Sequence, residues 1–176
     1  MAQLQTNTGW RLRVSVEHLW APWRMAYIEQ ARDQTGGCIL CDKPKEMQDE
    51  ATLVLFRGRF NFVIMNAFPY NSGHLMVVPF THTAQLSLLE AETRHEHIDL
   101  TSRCADILKD VLRPAGFNIG LNLGRIAGAG VDQHLHTHIV PRWEGDTNFM
   151  PVLADIRVVN QALTDTYKSL KPYFTV

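Results

Sequence analysis

The sequence lacks an excess of charge of either sign, a long apolar run and a large number of cysteines. Its 176 residues include 17 Lys and Arg against 18 Asp and Glu, so the formal net charge is −1. A chain without a basic field does not bind nucleic acid nonspecifically, and we expect no nucleic-acid polymer as a partner. No segment approaches the roughly 18 consecutive apolar residues of a membrane-spanning helix. Residues 1–14 also lack the apolar centre of a signal peptide, which predicts a cytoplasmic protein with no membrane partner.

The cysteine count is three, an odd number that argues against a disulfide framework. Two of them, Cys38 and Cys41, form a Cys-x-x-Cys pair, which is compatible with zinc binding or with thiol redox chemistry. A redox pair usually opens a helix in a thioredoxin-like pattern, whereas Pro44 and a charged tract follow it here. Zinc would require two further ligands. The third cysteine, Cys104, lies in a helical pattern and is predicted to be a buried, small hydrophobic residue.

The order of apolar segments predicts an α+β fold. With 45% hydrophobic and 20% charged residues, the composition is that of one globular domain, which we place at 20–176 after a flexible arm at 1–19. Apolar runs separated by turn residues predict five strands, at 52–56, 60–65, 73–79, 117–123 and 135–140. Apolar residues at helical spacing predict one long helix over 90–112, and a second helix is predicted at about 155–170. We therefore expect an antiparallel sheet with one long helix packed on it.

Three histidines alternate in the last predicted strand, in the run His134-Leu-His136-Thr-His138. On a strand, side chains two residues apart share one face and lie about 6.6 Å from each other. Three imidazoles on one face could be metal ligands, could include a nucleophile for phosphorus with its helpers, or could be satisfied polar groups without chemistry. Two further histidines, His95 and His97, fall on the long helix and are predicted to meet solvent.

The loop before the triad helps to choose among these alternatives. It contains Gly124, Gly128 and Gly130 with Arg125 among them, so its backbone N–H groups could converge on an anion. A glycine-rich loop alone is weak evidence, but this one directly precedes the histidines. Phosphate bound beside imidazole favours phosphoryl or nucleotidyl transfer.

The triad and its surroundings resemble the histidine triad (HIT) superfamily, whose members hydrolyse or transfer nucleoside monophosphates. The triad followed by Ile139-Val140-Pro141-Arg142 carries the resemblance most specifically. The stretches Phe62-Val-Ile-Met-Asn66 and Gly73-His74-Leu-Met-Val-Val-Pro79 are similar to the strand, turn and strand that shape the family's nucleotide pocket. Segments 19–24, 69–74 and 143–149 further resemble the bacterial diadenosine tetraphosphate phosphorylase branch.

This resemblance implies a covalent, two-step mechanism. His136 matches the nucleophile that attacks the α-phosphorus, His138 matches the residue that holds phosphate oxygens and steadies the leaving group, and His134 is the remaining triad member. Many relatives carry a Gln-Ser pair ahead of the triad, where this chain has Gly130-Val131, so backbone N–H groups are expected to bind the phosphate here. The residues expected to contact the nucleotide are Asn66, His74, Asn122, Gly130 and Val131.

The resemblance also implies a structural zinc and a homodimer. In relatives with the cysteine pair, a histidine after the strand ending in proline and the first triad histidine complete the metal site. The implied ligands here are Cys38, Cys41, His82 and His134, and no organic cofactor is expected. Family members join their sheets across a homodimer, and this branch can assemble further.

The expected activity is phosphorolysis or hydrolysis of a dinucleoside polyphosphate such as diadenosine tetraphosphate. Three alternatives stay open at this point. The chain could be a nucleoside phosphoramidate hydrolase, a metal-dependent enzyme in which all three triad histidines are ligands, or a noncatalytic nucleotide sensor.

Overall fold

The computed structural model describes residues 37–146 and 162–175, so the predicted arm at 1–19 lies outside the described residues. Its strands form one five-stranded antiparallel sheet in the order β1-β2-β3-β5-β4. The predicted α+β class is confirmed. The helices are α1 (Ile39–Asp42), α2 (Asp49–Thr52), α3 (Ala91–Leu112) and α4 (Leu163–Leu170), and the strands are β1 (Val54–Arg57), β2 (Asn61–Met65), β3 (Leu75–Pro79), β4 (Gly116–Leu121) and β5 (Thr137–Arg142).

The sheet has two buried faces because successive strand residues point to opposite sides. One face packs against α3 and α4 and contains Val63, Leu75, Val77 and Ile139 in a single apolar cluster. The opposite face carries a second cluster next to α1, formed by Leu40, Val54, Phe62, Ile64 and Val78. We call these the helix face and the open face, respectively. Side chains directly opposite each other in paired strands lie on the same face, so the register assigns every strand residue to one of them.

Helix α3 runs close to the predicted limits and covers the helix face. Its buried side chains include Leu100, Leu108 and Cys104, and Cys104 is 0% exposed, as predicted for a small core residue. The prediction that His97 meets solvent is wrong, because that side chain is only 3% exposed, whereas His95 is exposed. The two residues lie on different sides of the helix, and the side that carries His97 is the one that packs on the sheet.

The triad strand differs from its predicted span of 135–140. Ladder pairing of β5 begins at Thr137, which pairs with Val77 of β3 and Leu121 of β4, so His134 and His136 precede the ladder. At the other end, the strand continues through Pro141 to Arg142. Pairing with β3 ends at Ile139, so Pro141 has a single neighbouring strand, the edge-like setting that proline tolerates.

The C-terminal segment is tied to the start of the sheet. The Tyr167 hydroxyl donates to the Val54 carbonyl over 3.2 Å, and Lys171 Nζ donates to the Leu55 carbonyl over 2.9 Å. Helix α4 confirms the end of the helix predicted at about 155–170, of which residues 155–161 lie outside the described part. Within the described ranges, no helix has the length and apolar character needed to cross a membrane.

Candidate active site and metal centre

The four residues expected to bind zinc lie together. Their ligand atoms, Cys38 Sγ, Cys41 Sγ, His82 Nδ1 and His134 Nδ1, all lie within 4.8 Å of one another. His134 Nδ1 is 3.3 Å from Cys38 Sγ and 3.4 Å from Cys41 Sγ, and it is also 3.3 Å from His82 Nδ1. A tetrahedral zinc ion with two sulfur and two nitrogen ligands separates its ligand atoms by about 3.3 to 3.8 Å, so the donor set and the three distances from His134 Nδ1 fit zinc.

The protonation of His134 also suits a metal ligand. Its Nε2 lies 2.8 Å from the Pro79 carbonyl, which can only accept, so Nε2 carries the proton. The neutral ring therefore presents an unprotonated Nδ1 towards the two thiols and His82. A metal-bound histidine commonly has its other ring nitrogen bonded to a carbonyl in this way, which fixes the ring orientation.

The two cysteines lie on a single turn at the start of α1. Cys38 lies at the N-terminal boundary of α1, and its carbonyl accepts from the Cys41 N–H over 2.8 Å, so both sulfurs face the same side. Burial and the neighbouring Cys38 raise the pKa of the Cys41 thiol to about 11. A bound cation acts in the opposite direction and favours the thiolate.

The second triad histidine, His136, has one ring nitrogen committed to the backbone. Its Nδ1 donates to the His134 carbonyl over 2.8 Å, so the neutral ring holds its lone pair on Nε2. The side chain is 6% exposed, and burial lowers the pKa of the His136 imidazole, which favours this neutral form. The arrangement is that of a nitrogen nucleophile whose tautomer is set by its surroundings.

The third triad histidine, His138, belongs to a chain of hydrogen bonds on the open face. The Tyr70 N–H donates to His74 Nδ1 over 3.1 Å, and His74 Nε2 lies 2.9 Å from His138 Nδ1. Since His74 Nδ1 accepts, its Nε2 carries the proton and donates to His138. The neutral His138 ring then carries its proton on Nε2. The Tyr70 ring stacks on His74 with centroids 4.8 Å apart.

The turn that carries His74 is anchored to the triad strand. Asn71 Nδ2 donates to the Pro141 carbonyl and to Asp146 Oδ2, over 3.2 and 2.8 Å. Asp146 is also held by Arg142, whose Nε and Nη2 donate to its two carboxylate oxygens. The sequence offered no direct signal for this cluster, because its members come from two separate segments.

The expected nucleotide contact Asn66 follows β2, which is separated from the triad strand by β3, and the expected contact Asn122 follows β4, which pairs with the triad strand. The Asn66 N–H donates to the His74 carbonyl, and Asn66 Oδ1 accepts from the Phe68 N–H over 2.9 Å. Asn122 follows Leu121, which pairs with Thr137, so continuing the register by one residue sets Asn122 opposite His136 on the open face. Gly120 pairs with His138, and a Cβ built there would have no heavy atom within 4 Å.

The glycine-rich loop leads from Asn122 back to the triad. Its turn is closed by the Gly128 N–H, which donates to the Arg125 carbonyl over 2.9 Å, and both Gly124 and Gly128 have positive φ. Gly130 and Val131 are half-buried, and Val131 packs against the apolar cluster of the open face. The loop therefore lies on the same side of the sheet as the triad.

A buried network that the sequence did not reveal lies behind the triad, on the helix face. His97 Nδ1 is 2.9 Å from Asn61 Oδ1, and His97 Nε2 is 2.7 Å from the Thr137 hydroxyl. Asn61 Nδ2 in turn donates to Glu96 Oε2 and to the Thr93 carbonyl. Thr137 lies between His136 and His138 in sequence, but its side chain points to the opposite face. The network therefore reaches the triad strand from the helix face.

Comparison with known proteins identifies the family. A family model described as the HIT domain matches residues 48–145. The AP-4-A phosphorylase of Mycobacterium tuberculosis is 39% identical over 164 residues, which cover 90% of this chain and 84% of that protein. The adenosine 5′-monophosphoramidase of Schizosaccharomyces pombe is 32% identical over 111 residues, or 60% of this chain and 74% of that protein.

Solved structures share the fold. A zinc-bound histidine triad family protein from Mycobacterium smegmatis superposes with a TM-score of 0.62 at 24% identity, over 78% of this chain and 93% of that one. A histidine triad nucleotide-binding protein from Sulfolobus tokodaii gives the same TM-score of 0.62, over 78% of this chain and 91% of that one. The resemblance to the bacterial diadenosine tetraphosphate phosphorylase branch is likewise confirmed. The chain therefore belongs to the histidine triad family.

Proposed function

We propose that this enzyme transfers a nucleotidyl group from a dinucleoside polyphosphate, such as diadenosine tetraphosphate, through a covalent intermediate on His136. The observation that carries the proposal is the hydrogen bond from His136 Nδ1 to the His134 carbonyl, which leaves the lone pair on Nε2. The M. tuberculosis relative that is 39% identical is named a phosphorylase of this substrate class, which supports the choice.

In the first step, His136 Nε2 forms a bond to the α-phosphorus of the substrate. The bond from that phosphorus to the leaving oxygen breaks, and the electron pair departs with the leaving nucleotide. His138 Nε2–H donates to an oxygen of the leaving group or of the phosphate. In the second step, an oxygen of inorganic phosphate or of water attacks the same phosphorus and breaks the bond to nitrogen. Phosphate would yield ADP, and water would yield AMP.

The other expected contacts are proposed to act from the open face, which also carries the triad. Asn122, beside His136, would hydrogen-bond the phosphates. Asn66 would contact the ribose or phosphate once its Oδ1 has released the hydrogen bond from the Phe68 N–H. The backbone N–H groups of Gly130 and Val131 would bind phosphate oxygens. His74 would act through His138, because its Nε2–H donates a hydrogen bond to His138 Nδ1.

We also propose that Cys38, Cys41, His82 and His134 hold a structural zinc ion. The support is the fit of four ligand atoms within 4.8 Å and the committed Nε2 of His134. Zinc at this site would stabilise the junction between α1 and the segment before β5. His134 would then be a ligand and its carbonyl an acceptor for His136, rather than a proton shuttle, so proton donation falls to His138.

The geometry disfavours an enzyme that uses all three triad histidines as ligands for one metal. His134 Nδ1 points to the cysteines and its Nε2 is bonded to the Pro79 carbonyl, so neither nitrogen of His134 is left to share a metal with His136 and His138. A nucleoside phosphoramidate hydrolase would use the same nucleophile with a different leaving group, and the S. pombe relative named as a monophosphoramidase keeps it as the second candidate.

The deciding experiment incubates the purified protein with diadenosine tetraphosphate, with and without inorganic phosphate, and separates the products by chromatography. ADP formed only when phosphate is present would show phosphorolysis, and AMP with ATP in its absence would show hydrolysis. Adenosine phosphoramidate is tested in parallel. Binding of the nucleotides without turnover of any of them would contradict the proposal and identify a sensor.

We further infer that the chain works as a homodimer or larger assembly in the reducing cytoplasm, within one domain over residues 20–176 behind an N-terminal arm. Strand β4 is an edge strand that exposes Ile119 and Leu121, at 49% and 36%, as a surface for a second copy. The thiols of the proposed zinc site require reduced cysteines. Sedimentation at several protein concentrations tests the assembly.

A further inference from the structure

The triad strand is held by the sheet only from Thr137 onwards, although His136 lies one residue earlier. On the β3 side, pairing runs from Leu75↔Ile139 to Val77↔Thr137 and stops there. On the β4 side it also ends at Thr137, opposite Leu121. Thr137 is therefore the last point at which both neighbouring strands hold the chain before it leaves the sheet towards His136.

The side chain of Thr137 is tied to the helix face by a chain of hydrogen bonds whose direction can be assigned throughout. Asn61 Nδ2 donates to Glu96 and to the Thr93 carbonyl, so the Asn61 oxygen faces His97. His97 Nδ1 then donates to that oxygen over 2.9 Å. The neutral ring has an accepting Nε2, which receives the Thr137 hydroxyl proton over 2.7 Å.

This network is buried and satisfied. Asn61 is 0% exposed, His97 3% and Thr137 5%. The Glu96 carboxylate at its far end also accepts from the Arg59 and Phe60 N–H groups, over 2.6 and 2.7 Å, so the network is anchored to the β1–β2 hairpin. A fully connected polar network in a low-dielectric interior is rigid, because every displaced member leaves a buried group without its partner.

We propose that His97 is a positioning residue for the nucleophile: its hydrogen bond to Thr137 holds the backbone at the point where the chain leaves the sheet, and this aligns His136 with the His134 carbonyl. The inference rests on the proposed function for its meaning in catalysis, but the alignment itself is a property of the resting protein. His97 touches neither substrate nor the reacting atoms.

The contact between His136 and the His134 carbonyl spans only two residues, so it depends on the local backbone. A shift of Thr137 changes the angle between that carbonyl and the imidazole, and Nδ1 can then lose its acceptor. The ring would exchange between its two neutral tautomers, and only one of them has the lone pair on Nε2. A misplacement of about 1 Å can reduce turnover by about 100-fold while leaving ground-state binding intact.

Two pairs of variants test this with matched chemistry. Thr137→Val removes the hydroxyl at nearly constant shape, and Thr137→Ser retains it. His97→Gln keeps a polar atom near the position of Nε2 and so retains the contact with Thr137, whereas His97→Asn keeps only the contact with Asn61. His95→Gln, on the exposed side of the same helix, is the control, and thermal melting sets a temperature at which every variant is folded.

The first readout is the ¹⁵N spectrum of the histidine rings in the resting protein, with the His136 signals assigned by their loss in His136→Gln. We expect protonated Nδ1 and unprotonated Nε2 at His136 in the native protein, in Thr137→Ser and in His97→Gln. In Thr137→Val and His97→Asn the two nitrogen shifts should move towards each other, as in exchanging tautomers. Unchanged His136 shifts in both of these variants would overturn the proposal.

The second readout is turnover of diadenosine tetraphosphate against binding of AMP. For Thr137→Val and His97→Asn, we expect kcat to fall by about 10- to 100-fold while the Kd for AMP stays within about twofold. Thr137→Ser and His97→Gln should recover most of the rate. Equal losses in both members of each pair would show a merely structural network. If the native protein turns over none of these substrates, the proposed function fails, and the ring spectrum still decides the positioning role.

Discussion

His74 Nε2 lies 2.9 Å from His138 Nδ1, and the Tyr70 N–H donates to the other nitrogen of the His74 ring. The two contacts together assign the proton positions on both rings. His74 is 1% exposed, so solvent does not compete for its nitrogens. The orientation of the proton on His138 Nε2 therefore depends on His74, which directly precedes β3, and on the backbone amide of Tyr70.

Replacing His74 tests this dependence. His74→Leu removes the donor to His138 and should lower kcat by about 10- to 100-fold, because misoriented proton donors lose much of the catalysis they provide. His74→Gln retains an N–H near the position of Nε2 and should lose much less. Steady-state kinetics on folded protein measures the difference. Similar rates for the two variants would show that the contact does not orient His138.

Replacing His136 tests the nucleophile itself. For His136→Ala we expect a loss of about four orders of magnitude or more in kcat, the size seen when a covalent nucleophile is removed. AMP should still bind, since the phosphate and ribose contacts come from other residues. Activity is followed by product chromatography and binding by calorimetry, with His95→Ala as the control. Turnover by His136→Ala near the native rate would exclude the covalent mechanism.

The metal site makes a prediction about composition and stability. The purified protein should contain about one zinc per chain, and Cys41→Ser should lose the metal and melt at a lower temperature, because metal binding contributes directly to folding free energy. Cys104→Ala removes a buried thiol away from the site and should keep the zinc. Elemental analysis and thermal melting of both variants separate loss of metal from loss of packing. Full metal retention in Cys41→Ser would contradict the ligand assignment.

The buried His97 predicts a pH dependence of stability. Burial lowers its pKa from 6.5 to about 4, while the Glu96 carboxylate acts in the opposite direction. The folded state thus prefers the neutral ring, and the stabilisation is complete above pH 6.5 and is lost as the pH falls towards 4. The contribution to the free energy of unfolding should decrease by about 2 kcal/mol between pH 7 and pH 5.

Urea unfolding at these two pH values measures this effect. The decrease should be smaller by that amount in His97→Gln, which cannot be protonated. His134 and His136, whose pKa values burial also lowers, titrate in both proteins, so the difference between the proteins isolates His97. An identical decrease in the two proteins would show that His97 is not buried as a neutral ring.

Gly73, directly before His74, predicts a steric effect on the turn. Its φ is +72°, and an added Cβ would clash with Leu112 Cδ1. Gly73→Ala should therefore destabilise the protein by about 1 to 3 kcal/mol, through both backbone strain and the clash. Gly116→Ala is the matched control, because a Cβ there has no heavy atom within 4 Å. Equal stability of the two variants would contradict this account of the turn.

Much of the fold could be predicted from local sequence patterns, and the predictions that were wrong have a common cause. Apolar runs bounded by turn residues located the strands and apolar spacing located α3, since both depend on neighbouring residues. The limits of the triad strand were wrong because pairing partners, rather than residue type, decide where a ladder ends. Thus Thr137 begins the ladder although His134 to Val140 all alternate, and Pro141 remains in the strand because β3 pairs no further than Ile139.

The candidate site shows the same division. The alternating histidines and the cysteine pair were visible in the sequence. The resemblance to the histidine triad family then indicated His82 as a further candidate ligand. The burial of His97 was missed, because spacing along a helix shows that two histidines face different sides but not which side packs on the sheet. The contact between His74 and His138 joins a turn and a strand that are distant in sequence, so no local pattern could reveal it.

By itself the amino-acid sequence determined which side chains are available for chemistry and, through residue spacing, which of them share a strand face. Only the tertiary structure decided what each of those side chains bonds to. A ring nitrogen becomes a metal ligand, a nucleophile or a proton donor according to the partner of the other nitrogen in the same ring. Those partners are the carbonyls of Pro79 and His134 and the ring of His74. They are brought into place by the folding of segments that are separate in the chain, or by the backbone geometry just before β5.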